Sequence, residues 1–236
     1  MSSNYLAVRP DWLALGQEEI LEPDLPIVDV HHHFFDRPGW TYLASEYLAD
    51  VRSGHRVHST VYMQAQTRYR REGPASLRAA GETEYVAHAA ASLASAGVNV
   101  AAGIVGHADL REGARVREVL QAHIEAGRGR FRGIRHLTTW DADASLVNPL
   151  SAVPRQWARA MRELARLPNV FVKLGGLGMR INGFDFEKSE TPPSSQQLAA
   201  AWRPWMETCI EAFGAERCMF ESNFPVDKGS YSYATL

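Results

Sequence analysis

The sequence predicts an α/β fold built from repeated strand–helix units, and three observations support this prediction. Short apolar runs rich in β-branched residues alternate with longer segments whose apolar residues recur at helical spacing. Residues 98–105 are almost continuously apolar, which is typical of a strand buried on both faces of a parallel sheet. Two histidines at metal-ligand spacing follow the first apolar run. Together these features favour a TIM-like (β/α) barrel, which carries its chemistry at the carboxyl ends of its strands.

The first predicted strand begins after Pro26 and ends in three consecutive histidines. Because alternate side chains of a strand point to the same side, His31 and His33 share a face and His32 points away. Two imidazoles on one face can hold a divalent metal through neutral ring nitrogens, or contact an anionic substrate directly when protonated. A histidine run without a ligand is the alternative, since a lone histidine cluster is a weak motif.

Three further strand candidates place polar side chains at their carboxyl ends. The second ends at Gln64, and His107 follows the third. The fourth, residues 131–137, contains Arg135 and His136 near its end. An arginine and a histidine in an otherwise buried strand need a partner or a pocket. We expect Arg135 to contact an oxygen of a bound ligand, with a buried salt bridge as the alternative.

Helices are predicted between and after these strands. Apolar residues recur at helical spacing over residues 77–96 and again over residues 155–167. The next strand contains Lys173, whose side chain either reaches solvent or points into the barrel mouth as a cation. Pro204 is expected to divide the following helix in two. A last short strand is predicted at residues 218–220.

The segment Asp29-x-His31-x-His33 after a first apolar strand resembles the opening motif of the amidohydrolase superfamily. The surrounding sequence is similar to the amidohydrolase-related group that contains 2-pyrone-4,6-dicarboxylate lactonase and the sugar lactonases. In that group a Gly-Ile-Arg strand like the one ending at Arg135 contributes a substrate-contacting arginine, so the resemblance implies that Arg135 contacts a carboxylate or a lactone oxygen of the substrate. The stretch around Lys173 is similar to the group's seventh strand.

By these motifs, residues 27–140 match barrel strands one to four and residues 155–227 match strands seven and eight, after an N-terminal arm at residues 1–25. The resemblance therefore implies one amidohydrolase-like barrel domain over residues 1–236. This barrel is expected to be incomplete, because strands five and six and the final helix have no candidate in the sequence.

Two positions depart from the family pattern. No histidine follows His136, so the histidine ligand of the sixth strand is absent. The family's eighth strand has an aspartate that binds metal and acts as general base, and here the matching residue is Asn223. An amide cannot accept a proton at neutral pH or offer a metal a negative charge. Asp227 or Glu221 is the expected substitute.

Composition limits the partners and the setting. The formal net charge of −2 argues against a nucleic-acid or anionic-membrane surface. No apolar run approaches the roughly 20 residues of a membrane span. Cys209 and Cys218 lie in different predicted elements, so we infer no disulfide and a cytoplasmic location. The exposed sheet edge of an incomplete barrel makes a homo-oligomer an open alternative.

The expected function is hydrolysis of a lactone, ester or amide bond in a small carboxylated or sugar-derived substrate. One divalent metal, zinc or manganese, is expected on His31 and His33, and metal-free catalysis stays open. The residues expected to contact the substrate are Gln64, His107, Arg135, His136 and Lys173. The residues expected to act in catalysis are His31, His33, Asn223 and Asp227. An inactive truncated family member and a metal-dependent decarboxylase of an aromatic acid are the alternatives.

Overall fold

The computed structural model describes residues 5–136 and 154–236, which fall into two compact units. One unit comprises residues 22–136, and the other comprises residues 5–21 together with residues 154–236. The single barrel domain implied by the resemblance stays a prediction. Leu137, the expected last residue of the fourth strand, lies outside the described residues.

A four-stranded parallel sheet forms the centre of the first unit. The strands of the first unit are β1 Pro26–His32, β2 Phe35–Arg37, β3 Trp40–Tyr42, β4 Arg56–Met63, β5 Asn99–His107 and β6 Phe131–Arg135. The parallel sheet has the order β1-β4-β5-β6, in which the strands also follow one another along the chain. The strands β2 and β3 form a short antiparallel pair that follows β1 in the sequence.

Helices connect the parallel strands, as the predicted strand–helix repeat requires. They are α1 Ala44–Val51, α2 Ala80–Ser92 and α3 Val116–Ala126. On α3, Val116 and Val119 pack with Ala108 into a buried apolar cluster, which explains the helical spacing of the apolar residues in this segment. The predicted helix over residues 77–96 is shorter in the structure, because its start is a separate 3₁₀ turn at Ala75–Leu77.

The register of the sheet brings the carboxyl ends of neighbouring strands together. His32 is opposite Tyr62, and His107 is opposite Arg135. Every predicted site residue of this unit stands at or just beyond one of these strand ends. The register therefore collects polar side chains at one edge of the sheet.

The second unit contains the elements β7 Val172–Leu174 and β8 Cys218–Phe220, which pair in parallel, and the helices α4 Pro154–Ala165 and α5 Ser195–Phe213. A single α-helical turn at Pro10–Leu13 also belongs to it, and Trp12 and Leu13 on that turn are buried. The indole of Trp12 donates a 3.0 Å hydrogen bond to the carbonyl of Ser189. This bond anchors the N-terminal arm within its own unit.

The prediction that Pro204 divides the helix was wrong. Helix α5 runs without a break from Ser195 to Phe213. Pro204 lies on its exposed face, where water can satisfy the carbonyl that loses its helical donor. A capping box starts the helix: Ser194 Oγ accepts from the Gln197 amide, and Gln197 Oε1 accepts from the Ser194 amide. The buried side chains that hold α5 in place are Leu198, Trp202, Cys209 and Phe213.

The described residues thus contain six strands in parallel pairing, divided between a four-stranded and a two-stranded sheet. A full barrel of this class has eight. The predicted α/β class, with a barrel-type strand–helix plan that is incomplete, is confirmed. Within residues 5–136 and 154–236, none of the helices combines the length and apolar character that crossing a bilayer requires.

Candidate active site

The two predicted histidines converge at the end of β1. His31 Nε2 and His33 Nε2 are 3.0 Å apart, and their rings meet edge to face. His33 Nδ1 donates a 2.8 Å hydrogen bond to the carbonyl of Met63 at the end of β4. Because this bond places the proton of neutral His33 on Nδ1, the lone pair of its Nε2 faces His31. The shared face predicted from strand alternation is present.

His32, which lies between the two in the sequence, is part of the packing that supports the pair. His32 stacks on Tyr47 with ring centroids 3.8 Å apart, and its Nε2 lies 2.9 Å from Thr60 Oγ1. Tyr47 in turn donates to Asp29 Oδ2 at 2.8 Å, and Asp29 Oδ1 accepts from the His31 amide. Asp29 therefore braces the backbone of His31, which gives the first residue of the Asp-x-His-x-His motif a structural role here.

Burial favours the neutral forms of His32 and His33. It lowers the pKa of His33 well below its usual range, and the nearby charges of His31 and Arg135 lower that pKa further. The pKa of His32 is likewise lowered by burial first and by His31 second. A neutral imidazole offers a lone pair, which is the form that binds a metal ion.

Gln64, Tyr69 and Arg135 form a hydrogen-bonded group beyond the ends of β4 and β6, called here the Arg135 group. Arg135 Nε donates to Gln64 Oε1 at 3.2 Å, and Arg135 Nη2 donates to the Gln64 carbonyl. Gln64 Nε2 donates to the Tyr69 hydroxyl at 2.7 Å. The predicted residues Gln64 and Arg135 are thus brought together, and Tyr69 joins them.

His107 and His136 lie beside this group, in different environments. His107 Nδ1 donates to the Arg135 carbonyl at 3.2 Å, which ties it to the group's backbone. His136 Nδ1 accepts from the Leu110 amide at 3.2 Å, and its Nε2 lies 3.8 Å from Asp109 Oδ1. His107 therefore adjoins the Arg135 group, whereas His136 is engaged with the turn that follows β5.

Sequence reasoning missed one buried residue of this region, Glu82. It is the third residue of α2, and only 2% of its surface is exposed. Burial raises the pKa of its carboxyl group. A glutamate in the first turn of a helix is ordinarily solvated and favoured by the helix dipole. No signal in the sequence indicated its burial, although its neighbours Ala80, Gly81 and Thr83 are buried in the structure as well.

The second unit carries its own polar cluster, in which Lys173 on β7 pairs with Glu221. Lys173 Nζ is 2.5 Å from Glu221 Oε2. The side chain of Lys173 is 32% exposed and that of Glu221 only 9%. Lys173 therefore neither extends freely into solvent nor stands alone as a cation. The salt bridge lies near the carboxyl ends of β7 and β8. In this fold class the carboxyl ends of the parallel strands carry the chemistry.

Asp227 is the centre of the remaining polar contacts in the second unit. Its Oδ1 accepts from Asn223 Nδ2 at 2.7 Å. Its Oδ2 accepts from the Gly178 amide at 2.9 Å and from the Tyr231 hydroxyl at 2.6 Å. Burial raises the pKa of Asp227 to about 7, and the charge of Glu221 adds to that shift. The three hydrogen bonds act in the opposite direction.

The backbone around Asp227 has little room. A Cβ at Gly178 would lie 2.5 Å from the Tyr231 ring and 3.0 Å from the Asp227 side chain. Asn223 adopts a left-handed conformation with φ of 57°, which asparagine tolerates better than most residues. The turn after β7 and the segment after β8 therefore fit closely around one buried carboxyl group.

The chemistry of the histidine pair fits two ligand positions of a divalent metal. The separation of 3.0 Å allows both Nε2 atoms to reach one ion, since zinc–nitrogen bonds are about 2.0–2.1 Å long. The bond from His33 Nδ1 to the Met63 carbonyl is the kind of outer contact that orients a metal-binding histidine. Across the ranges that the structure describes, no group of three or more His, Cys, Asp or Glu side chains is placed to hold a metal.

Comparison with known proteins gives one family match and one curated relative, each over part of the chain. Residues 147–236 match the family model described as amidohydrolase. Over these residues the predicted relationship to the amidohydrolases is confirmed. The uncharacterized protein y4mH of Sinorhizobium fredii (strain NBRC 101917 / NGR234) is 41% identical over 80 residues, which are 34% of this chain. The match covers 23% of that protein, so this chain spans about a quarter of the curated relative.

Solved structures support the fold. The crystal structure of a Burkholderia multivorans amidohydrolase with bound Zn has a TM-score of 0.61 and 21% sequence identity to this chain. The comparison covers 89% of this chain and 88% of that one. A second crystal form of that amidohydrolase, with bound HEPES, gives the same values. At this level of identity the likeness concerns the fold alone.

Proposed function

We propose that this protein is a hydrolase that opens a lactone, ester or amide bond in a small carboxylated or sugar-derived substrate. The observation that carries the proposal is the His31–His33 pair at the carboxyl end of a parallel sheet, with both Nε2 atoms directed at each other. The amidohydrolase relationship of residues 147–236 supports the same reaction class.

In the proposal, His31 and His33 bind one divalent ion through Nε2, and zinc or manganese suits imidazole ligands. Such an ion, when bound, polarises a carbonyl group and lowers the pKa of water. The protein residues around it have separate tasks. Met63 holds the ring of His33 through its carbonyl, and burial favours the neutral form of His33, whose Nε2 then carries a lone pair.

The Arg135 group is proposed to bind the anionic or carbonyl end of the substrate. A guanidinium group recognises a carboxylate through paired N–H donors, and Gln64 fixes the plane of that group through two contacts. His107, bonded to the Arg135 carbonyl, is proposed to line the same substrate position. His136 is also proposed to contact the substrate, by giving up its present contact with Asp109 in the turn after β5.

Asp227 is proposed as a group that takes a proton during hydrolysis, with Asn223 orienting it. A pKa of about 7 suits a general base near neutral pH. Asn223 contributes as a donor, through the Nδ2 contact to Asp227 Oδ1. Lys173 is proposed to bind an anionic substrate group in exchange for Glu221.

The first experiment is elemental analysis of the purified protein together with hydrolysis assays on a lactone panel, with and without added Zn²⁺ or Mn²⁺. His31→Ala is the test variant, and His58→Ala is the matched control, because His58 stands at an exposed position of β4. We expect lactone opening by the wild type and loss of at least about a hundredfold in rate in His31→Ala.

The metal content and the hydrolysis rates together distinguish a metal-dependent hydrolase, a metal-free hydrolase and a protein without this activity. A stoichiometric metal that disappears in His31→Ala but not in His58→Ala supports the metal-bound form of the proposal. Hydrolysis that needs no metal and still depends on His31 supports direct contact between substrate and histidine. A wild-type protein that opens none of the lactones, with or without metal, contradicts the proposed hydrolase.

A further inference from the structure

Glu82 gathers three hydrogen-bond donors on a single carboxylate oxygen. Its Oε1 accepts from the Tyr62 hydroxyl at 2.7 Å, from the Ala65 amide at 2.8 Å and from the Thr67 amide at 3.0 Å. Its Oε2 is buried and has no hydrogen-bond partner in the part of the chain that the structure describes. A buried carboxyl group in this state is costly, so the contacts on Oε1 need a physical reason.

The two amides belong to the segment that follows β4, residues 64–70, called here the β4 loop. Gln66 and Arg68 adopt left-handed conformations, with φ of 63° and 57°, which cost energy in residues other than glycine. Thr67 Oγ1 adds a 2.6 Å hydrogen bond to the Phe34 carbonyl. The loop is therefore held in an unfavourable backbone conformation by contacts from outside it, and Glu82 makes two of them.

Helix α2 approaches this loop closely. A Cβ at Gly81 would lie 2.7 Å from the Arg70 amide nitrogen and 2.9 Å from the Arg68 carbonyl oxygen. Glycine at this position thus allows α2 to bring the adjacent Glu82 against the loop. The close approach and the carboxylate contacts act on the same backbone.

The β4 loop carries two members of the Arg135 group. Gln64 is its first residue and Tyr69 is near its end, and the two side chains are hydrogen-bonded to each other. Arg135 is bound both by the side chain and by the backbone carbonyl of Gln64. The conformation of the loop therefore determines where the Arg135 guanidinium group lies.

We propose that Glu82 is a positioning residue: through Oε1 it fixes the β4 loop and so places Gln64, Tyr69 and Arg135 to bind a carboxylate-bearing substrate. This inference rests on the proposed function, and it narrows the substrate class to lactones or esters that carry a carboxylate. Glu82 acts through hydrogen-bond acceptance, so glutamine, which keeps an acceptor oxygen, is expected to replace it.

The test compares Glu82→Ala, Glu82→Gln and the control Val86→Ala, which truncates a fully buried apolar side chain one turn further along the same helix. The first measurement is amide hydrogen exchange at Ala65 and Thr67. We expect their protection to be lost in Glu82→Ala and retained in both other variants. Unchanged protection in Glu82→Ala, or equal loss in Val86→Ala, overturns the proposal.

The second measurement is equilibrium binding, by NMR titration, of γ-butyrolactone bearing a ring carboxylate and of γ-butyrolactone itself. For the carboxylated probe we expect the Kd to rise about tenfold in Glu82→Ala and to stay within about twofold in Glu82→Gln and Val86→Ala. The Kd of the uncharged probe should change little in any variant. Equal weakening of both probes, or a wild type that does not bind the carboxylated probe, overturns the proposal.

Two further arms keep the test decisive. Should Glu82→Ala not fold, Thr67→Ala removes the contact to the Phe34 carbonyl, and it is expected to weaken binding of the carboxylated probe in the same direction. Selective weakening then supports the proposal, and unchanged binding contradicts it. Binding that depends on Glu82 without turnover of any lactone supports the positioning role while contradicting the proposed hydrolase, so the two failures are distinguishable.

Discussion

The histidine site of the first unit and the Asp227 cluster of the second bury ionisable groups of opposite type. Burial lowers the pKa of His32 and His33 and raises that of Asp227 to about 7. In both places burial favours the neutral form, because a charge is poorly solvated there. The consequences differ: a neutral imidazole gains a usable lone pair, whereas a neutral carboxyl group gains a proton that it can exchange near pH 7.

The two regions also differ in how their contacts are built. The histidine pair depends mainly on one strand and on the carbonyl at the end of its neighbour, so strand alternation and sheet register suffice to form it. The Asp227 cluster joins the turn after β7 to the segment after β8, through a bond between residues 49 positions apart in the chain. We infer that strand geometry forms the histidine pair, whereas the contacts of the second cluster depend on the one carboxyl group of Asp227.

Removal of the Asp227 carboxyl group should have the largest effect on stability. Asp227→Ala leaves three buried donors without an acceptor, at about 1–3 kcal/mol each, so we expect a loss of at least about 3 kcal/mol in the free energy of unfolding. Urea unfolding followed by tryptophan fluorescence measures this. Asp185→Asn, at an exposed salt bridge of the same unit, should cost less than about 0.5 kcal/mol. Equal losses in the two variants would refute the central role of Asp227.

The pH dependence of unfolding should separate the two regions. The pKa of Asp227 is raised on folding, so its contribution to stability is fully present below about pH 4 and is lost as pH rises towards about 7. The pKa values of His32 and His33 are lowered on folding, so their contribution is present above about pH 6.5 and is lost as pH falls below it. Urea titrations at intervals from pH 4 to pH 8 measure both.

The variant Asp227→Asn shows which part of the pH dependence of stability comes from Asp227 and which part comes from the histidines. Because asparagine does not titrate, the decline of stability between pH 4 and pH 7 that Asp227 causes should disappear, by an amount of a few kcal/mol. The loss of stability that protonation of His32 and His33 causes as pH falls should remain. A curve identical to that of the wild type would show that Asp227 does not titrate in this range.

The sequence predicted the histidine site because its determinants are local. Alternation along one strand places His31 and His33 together, and the alignment of parallel strand ends places Gln64, His107 and Arg135 near one another. The family resemblance added the choice of chemistry. None of these inferences depends on the conformation of a loop.

The residues that sequence reasoning missed or misjudged depend on contacts between distant segments. Glu82 is buried only because the β4 loop folds over the first turn of α2, and nothing in a helical pattern indicates that. Pro204 was expected to break a helix, but its exposed position allows the helix to continue. That Asp227 replaces the catalytic carboxylate stays a prediction, but its hydrogen bond to Asn223 could not be foreseen from the sequence.

The smallest loss of stability is expected for a change at Lys173. This change tests whether the charge of Lys173 stabilises the fold or binds the substrate. Lys173→Met removes the partner of the nearly buried Glu221, but Lys173 is 32% exposed, so screening should limit the loss to about 1 kcal/mol. The loss should shrink as salt is raised, since screening already weakens the wild-type pair. Urea unfolding at low and high salt measures it, with Lys188→Met, in the exposed pair with Asp185, as the control.

Two results would change the assignment of Lys173. Equal stability of Lys173→Met and Lys188→Met would mean that the salt bridge contributes nothing measurable, as many exposed pairs do. Weaker binding of the carboxylated lactone in Lys173→Met would then mark the amine as a cation for the substrate, which displaces Glu221. Loss of stability without any change in binding would instead confine Lys173 to the second unit's structure and leave substrate recognition to Arg135.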